Sequence, residues 1–143
     1  MKKGFTLIEL LAVIVILAII ALIATPMILG VIDTAKQGSA KSSALGYVEA
    51  VEKSMMIQQV NGGAAPVAGE YTVSENGKTL SYTKDEKTYT ITVDFKGDVP
   101  SGNVTIGSNG AVSGATLKFS KIYASDVTVK ADGTAEIATN DGE

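Results

Sequence analysis

The chain has 143 residues, a formal net charge of −3, and no cysteine, histidine or tryptophan. Disulfide and thiolate chemistry are excluded, and the usual general base and commonest transition-metal ligand are missing. Its 12 basic residues are all lysine against 15 acids, a balance that argues against a basic nucleic-acid-binding face.

The first stretch reads Met1-Lys2-Lys3-Gly4-Phe5-Thr6-Leu7-Ile8-Glu9, followed by an almost purely aliphatic run over residues 10–24 and then Pro26. Residues 5–25 form a 21-residue segment, about 31 Å as a helix, enough to cross the hydrocarbon core of a bilayer. The two lysines hold residues 1–4 on the cytoplasmic side by the positive-inside rule, which puts the rest of the chain outside. One carboxylate, Glu9, stands at the front of this run. A lone acid at the centre of a bilayer costs roughly 2.5–3.5 kcal/mol on insertion scales, so it calls for a partner. An ordinary secretory signal peptide fits poorly, because Glu9 opens the apolar region and no small-x-small cleavage site follows it. A permanent single-pass anchor that never assembles is the other plain reading.

Lys3-Gly4-Phe5-Thr6-Leu7-Ile8-Glu9-Leu10, with the apolar run and Pro26 behind it, resembles the leader and helix start of type IV prepilins. The resemblance covers about the first 30 residues; beyond them only the architecture is similar. It implies cleavage between Gly4 and Phe5 by a prepilin peptidase, N-methylation of Phe5, a membrane stage at the inner-membrane assembly platform, and polymerisation into a surface filament. Cleavage takes the side-chain charge from −3 to −5 by removing Lys2 and Lys3. On a helix starting at Phe5, Phe5 and Glu9 share a face at i, i+4, and Glu9 sits where the helix dipole favours a carboxylate. The new Phe5 amine of one subunit is then expected to meet Glu9 of a neighbour. The absence of cysteine suits a Gram-positive relative, since many pilins of diderm bacteria carry a disulfide.

Pro26 cannot donate to the carbonyl of Leu22, and Gly30 adds a second soft point, so the helix is expected to kink or loosen there. The resemblance implies melting of this part on entry into a filament. From about residue 33 the pattern turns amphipathic. Ile28, Ile32, Ala35, Ala40, Ala44, Tyr47, Val48, Val51 and Met55 form the apolar stripe; Asp33, Lys36, Gln37, Lys41, Glu49, Glu52 and Lys53 hold most of the other face. Gly62-Gly63 ends the helix and Pro66 prevents its return. A helix over residues 5–59 would be about 80 Å long.

After Gly69 the period changes to two. Tyr89, Ile91, Val93 and Phe95 alternate with polar neighbours, and the turn signals are Asn76-Gly77, the charged Lys84-Asp85-Glu86-Lys87, Asn109-Gly110 and Asp132-Gly133. Residues 97–102 read as a loop. The expectation is an antiparallel meander of about five to seven short strands with one face on the helix.

The whole is expected to be an α+β chain: leader 1–4, transmembrane and assembly helix 5–25, amphipathic continuation 26–60, and a β-rich head 61–143. No catalytic set, phosphate loop or repeat stands out, so no enzymatic activity and no cofactor is expected. Asp132, Asp141 and Glu143 match no calcium loop, so no metal is expected, and the Asn103-Val104-Thr105 sequon is too short to carry weight. The functional reading is a structural subunit of a type IV pilus, serving adhesion or motility and partnered by copies of itself. The alternative is a pseudopilin of a type II secretion or competence system, which shares the leader.

Overall fold

The computed structural model describes residues 3–138; the leader residues Met1 and Lys2, and the tail with Asp141 and Glu143, lie outside the described residues. One helix, α1 (Leu7–Val60), precedes seven strands: β1 (Gly69–Val73), β2 (Thr79–Lys84), β3 (Lys87–Thr92), β4 (Ser101–Ile106), β5 (Val112–Lys118), β6 (Val127–Lys130) and β7 (Ala135–Ile137). The expected α+β class holds. The chain divides into two units, residues 1–35 and residues 36–143, and α1 contributes to both.

In the second unit α1 buries Ala40, Ala44, Tyr47, Val51 and Met55. The steps of four, three, four and four residues keep these on one face of a 3.6-residue helix. Full burial begins at Ala40, one turn after half-buried Gln37, whose Nε2 donates to the Tyr123 hydroxyl at 3.3 Å. Ile28, Ile32 and Ala35, expected on the same stripe, are exposed. Against the helix lie Tyr71, Val73, Leu80, Ile91, Val104, Ile106, Leu117, Val127 and Val129, all buried and contributed at alternate strand positions. Small alanines at 40 and 44 let the sheet approach, and the larger Tyr47 fills the centre. Its ring meets Phe95 edge-on at 5.3 Å, and its hydroxyl donates to the Gly77 carbonyl at 2.8 Å. Glu52, expected on the solvent side, accepts a 3.2 Å bond from the Val112 N–H at the start of β5.

The helix ends as expected at Gly62-Gly63. Gly62 has φ +83°, its N–H donates to the Gln59 carbonyl, and Gly63 N–H donates to Gln58. This pair of bonds is a Schellman motif, and it satisfies two carbonyls the helix end would leave bare.

The sheet is antiparallel throughout, in the order β3-β2-β1-β4-β5-β6-β7. A simple meander is therefore not what forms. The chain leaves β3 at one edge, returns through residues 93–100 and lays β4 beside β1, which makes the first four strands a Greek key. Residues 101 and 102, expected in a loop, open β4. Gly102 has φ +128°, and a Cβ there would collide with the Thr116 carbonyl oxygen of the adjacent strand, so glycine is required.

Three of the four tight hairpins share one construction. Gly77, Gly110 and Gly133 each have positive φ and each donate to the carbonyl three residues back, at Ser74, Gly107 and Lys130. The residue before each glycine, Asn76, Asn109 or Asp132, accepts from the backbone N–H two positions on. These are type I turns closed by a left-handed glycine. The fourth, between β2 and β3, differs: Asp85 (φ 50°) and Glu86 (φ 62°) are both left-handed without glycine.

Candidate functional site

The first unit carries the stretch that the sequence singles out. Residues 3–6 are irregular and exposed, and a Cβ built on Gly4 would meet nothing within 4 Å. The backbone around the Gly4–Phe5 bond is thus unobstructed. The helix starts at Leu7, two residues later than expected from the leader pattern.

Thr6 accounts for that start. Its backbone N–H donates to Glu9 Oε2 at 2.8 Å, its hydroxyl donates to the same oxygen at 2.8 Å, and Glu9 N–H donates back to Thr6 Oγ1 at 3.3 Å. The Thr6 carbonyl accepts the first helical bond, from Leu10 N–H at 3.2 Å. Thr6 is the N-cap and Glu9 the third helical residue of a capping box. An N-cap residue has non-helical dihedral angles, so helical phase begins only after it. Phe5 lies outside the helix and is 91% exposed. In the uncleaved chain Phe5 is therefore not on the helix, and the residue brought to Glu9 is Thr6. The Thr-x-x-Glu spacing is the sequence signal for this.

From Leu7 the helix is apolar and bare. None of its most apolar 18-residue window is buried, and it is long and apolar enough to cross a membrane. So long an aliphatic face is costly to leave in water.

Helical geometry continues through Pro26 and Gly30. Pro26 has no N–H, so Leu22 loses its helical donor. The Thr25 hydroxyl donates to the neighbouring Ala21 carbonyl at 2.7 Å, and Thr34 does the same to Gly30 at 3.0 Å. Such back-bonding slightly weakens a helix and favours bending. The two residues expected to be soft points are thus bracketed by two back-bonding threonines, Thr25 and Thr34.

Among the described residues no group of three or more His, Cys, Asp or Glu side chains could hold a metal ion. Asp132 is engaged in its own turn, where the hydroxyl and backbone N–H of Thr134 hold its carboxyl below the usual carboxylate range. In the head, burial pushes the Tyr47 hydroxyl up to about 12.

Comparison with known families decides what the exposed N-terminus is. Residues 1–25 carry the prokaryotic N-terminal methylation motif. The match supports a type IV pilin-like prepilin, a structural kind of protein, and implies handling by a prepilin peptidase and pilus-type assembly machinery. Together with the bare apolar helix it fits anchoring in a membrane before assembly. Neither a curated protein nor a solved structure matches the chain.

Proposed function

We propose that the chain is the subunit of a type IV pilus, cut between Gly4 and Phe5, N-methylated on Phe5 and polymerised through residues 5–25. The observation that carries this reading is the methylation motif set on a fully exposed aliphatic helix with one carboxylate at its front. The helix first lies in the cytoplasmic membrane with its N-terminus inside. It is then extracted to pack against copies of itself, with the Phe5 ammonium of one subunit paired to Glu9 of another. Pro26 and Gly30, with their weakened hydrogen bonding, supply the give that extraction demands. The β-rich head forms the outer surface and serves adhesion or motility.

Electron microscopy of material sheared from cells, with mass spectrometry of its N-terminus, tests the reading. Long surface filaments whose subunits begin at N-methylated Phe5 are expected. A monomer held in the membrane with the leader intact would sink the proposal. Short fibres confined to the envelope would instead assign the chain to a secretion or competence pseudopilus, which the shared motif equally permits.

A further inference from the structure

The sheet ends on one side at β3, whose residues Thr88, Tyr89, Thr90 and Ile91 border a cleft shared with Gln58 and residues 64–66. In the β2–β3 ladder Thr79 stands opposite Thr92, and Val93 N–H donates to the Lys78 carbonyl. That bond makes Thr79–Thr92 a pair that does not itself exchange hydrogen bonds, and the alternation then repeats along the strand. The N–H and C=O groups of Thr88, Thr90 and Thr92 therefore point away from β2, to the free edge. The one bond seen on them among the described residues is a long one, from Gln58 Nε2 to the Thr90 carbonyl at 3.4 Å. Natural edges are blunted by proline, lysine and other charges, bulges or a covering segment; the one charge in β3, Lys87, is at its first residue. β3 has no proline, and its register with β2 is unbroken over six residues.

We infer that β3 pairs antiparallel with β3 of a second copy of this chain, Thr90 opposite Thr90, joining two heads through one continuous sheet. The strand is self-complementary in that register. Three edge-facing residues centred on Thr90 put Thr88 of each copy opposite Thr92 of the other, so all six edge N–H groups find carbonyls. On the polar face the contact is threonine on threonine. On the helix-side face Tyr89 meets Ile91, an aromatic–β-branched pair of the kind that stabilises sheets. Charge permits it: each end gathers Lys84, Lys87 and, from the second copy, Lys78 and Lys96 against Asp85, Glu86 and, from the second copy, Asp94, a mixed set with no large excess of one sign. Ile57, 50% exposed, borders the same edge with Thr92, Val93 and Phe95 and gains cover from the added strand. The opposite edge, β7, has only three residues and cannot offer as much.

One six-residue strand is small beside the roughly 1,200–2,000 Å² of a stable interface, so a single pairing is weak. Repeated along a polymer it becomes strong through effective concentration. If the chain forms filaments as proposed above, this edge associates them side by side; that consequence rests on the proposed function, whereas the pairing itself does not.

The absence of cysteine makes the register directly testable on the full chain in mild detergent. Paired Cα atoms that exchange hydrogen bonds lie about 5.5 Å apart, within the 4.4–6.8 Å a disulfide spans. Thr90→Cys is expected to form a disulfide-linked dimer under mild oxidation. Thr88→Cys alone is expected to give at least tenfold less, because two copies of residue 88 lie about 13 Å apart along the strands. A mixture of Thr88→Cys and Thr92→Cys chains should cross-link to each other. Adding Thr92→Pro to the Thr90→Cys chain removes an edge N–H without touching the β2–β3 ladder and should abolish the dimer. Equal cross-linking at residues 88 and 90, or none at 90, overturns the pairing. So does a Thr90→Cys chain that links to an Ala135→Cys chain instead of itself, which would mean β3–β7 contact. Should the proline variant fail to fold, the comparison of 88 with 90 decides alone.

Discussion

Tyr47 shows how much of the head depends on one side chain. It is fully buried, it packs edge-on against Phe95, and it ties the helix to the β1–β2 turn through the Gly77 carbonyl. Burial favours the neutral phenol, so its hydroxyl titrates at about 12 in the folded chain against about 10 unfolded. The raised value means its contribution is fully present below pH 10 and is lost as pH rises from about 10 through 12, where the unfolded chain has already released its proton. Burial raises Tyr71 in the same direction. Denaturant melts of the head signal between pH 8 and 11.5 should show stability falling above about pH 10. In Tyr47→Phe that fall should be shallower, leaving the share due to Tyr71. At neutral pH the variant should lose roughly 1–3 kcal/mol for the unpaired acceptor. An unchanged alkaline slope would remove Tyr47 from this account.

At the scale of elements, legibility divided by range. The turns at Asn76-Gly77, Asn109-Gly110 and Asp132-Gly133 were readable because each is made by four or five consecutive residues. The Schellman end of α1 was readable for the same reason. The Greek-key return that pairs β1 with β4 was not, because nothing local in residues 93–100 specifies which strand they rejoin. Gly102 read as loop because its defining contact, with Thr116, comes from another strand. At the N-terminus the Thr-x-x-Glu spacing is a local signal for the cap, whereas a partner for Glu9 on another subunit is not written in local spacing. The β2–β3 turn holds a further prediction. A left-handed conformation costs a residue with a Cβ roughly 1–2 kcal/mol, and glycine escapes this while losing about 0.5–1 kcal/mol to chain entropy. Glu86→Gly creates the Asp-Gly pair that such two-residue turns prefer. It should stabilise the head by up to about 1 kcal/mol and raise its Tm by several degrees. A lower Tm would mean that the Glu86 carboxylate makes a contact worth more than the strain.

For the molecule as a whole, the capping box changes what a Glu9 substitution means. Glu9 has a local task, satisfying Thr6 N–H and fixing where the helix starts, and a proposed assembly task, neutralising the Phe5 ammonium of another subunit. Loss of a cap costs about 0.5–2 kcal/mol, whereas leaving one member of a buried charge pair alone costs about 3–5 kcal/mol. Two substitutions separate the tasks. Glu9→Ala removes both. Glu9→Gln keeps an acceptor for Thr6 N–H, since glutamine also serves at this capping position, but carries no charge. If pairing between subunits governs assembly, both variants should be cut after Gly4, seen as the mature size on an immunoblot, and both should yield few or no sheared filaments. If capping governs it, Glu9→Gln should assemble near the unsubstituted level while Glu9→Ala does not, and the intersubunit role of Glu9 falls. A helix start that is merely loosened should still enter the membrane, because the apolar run from Leu10 is untouched in either variant. Membrane fractionation of both therefore supplies the control: anchored, cleaved and unassembled is the combination that assigns Glu9 to the contact between subunits.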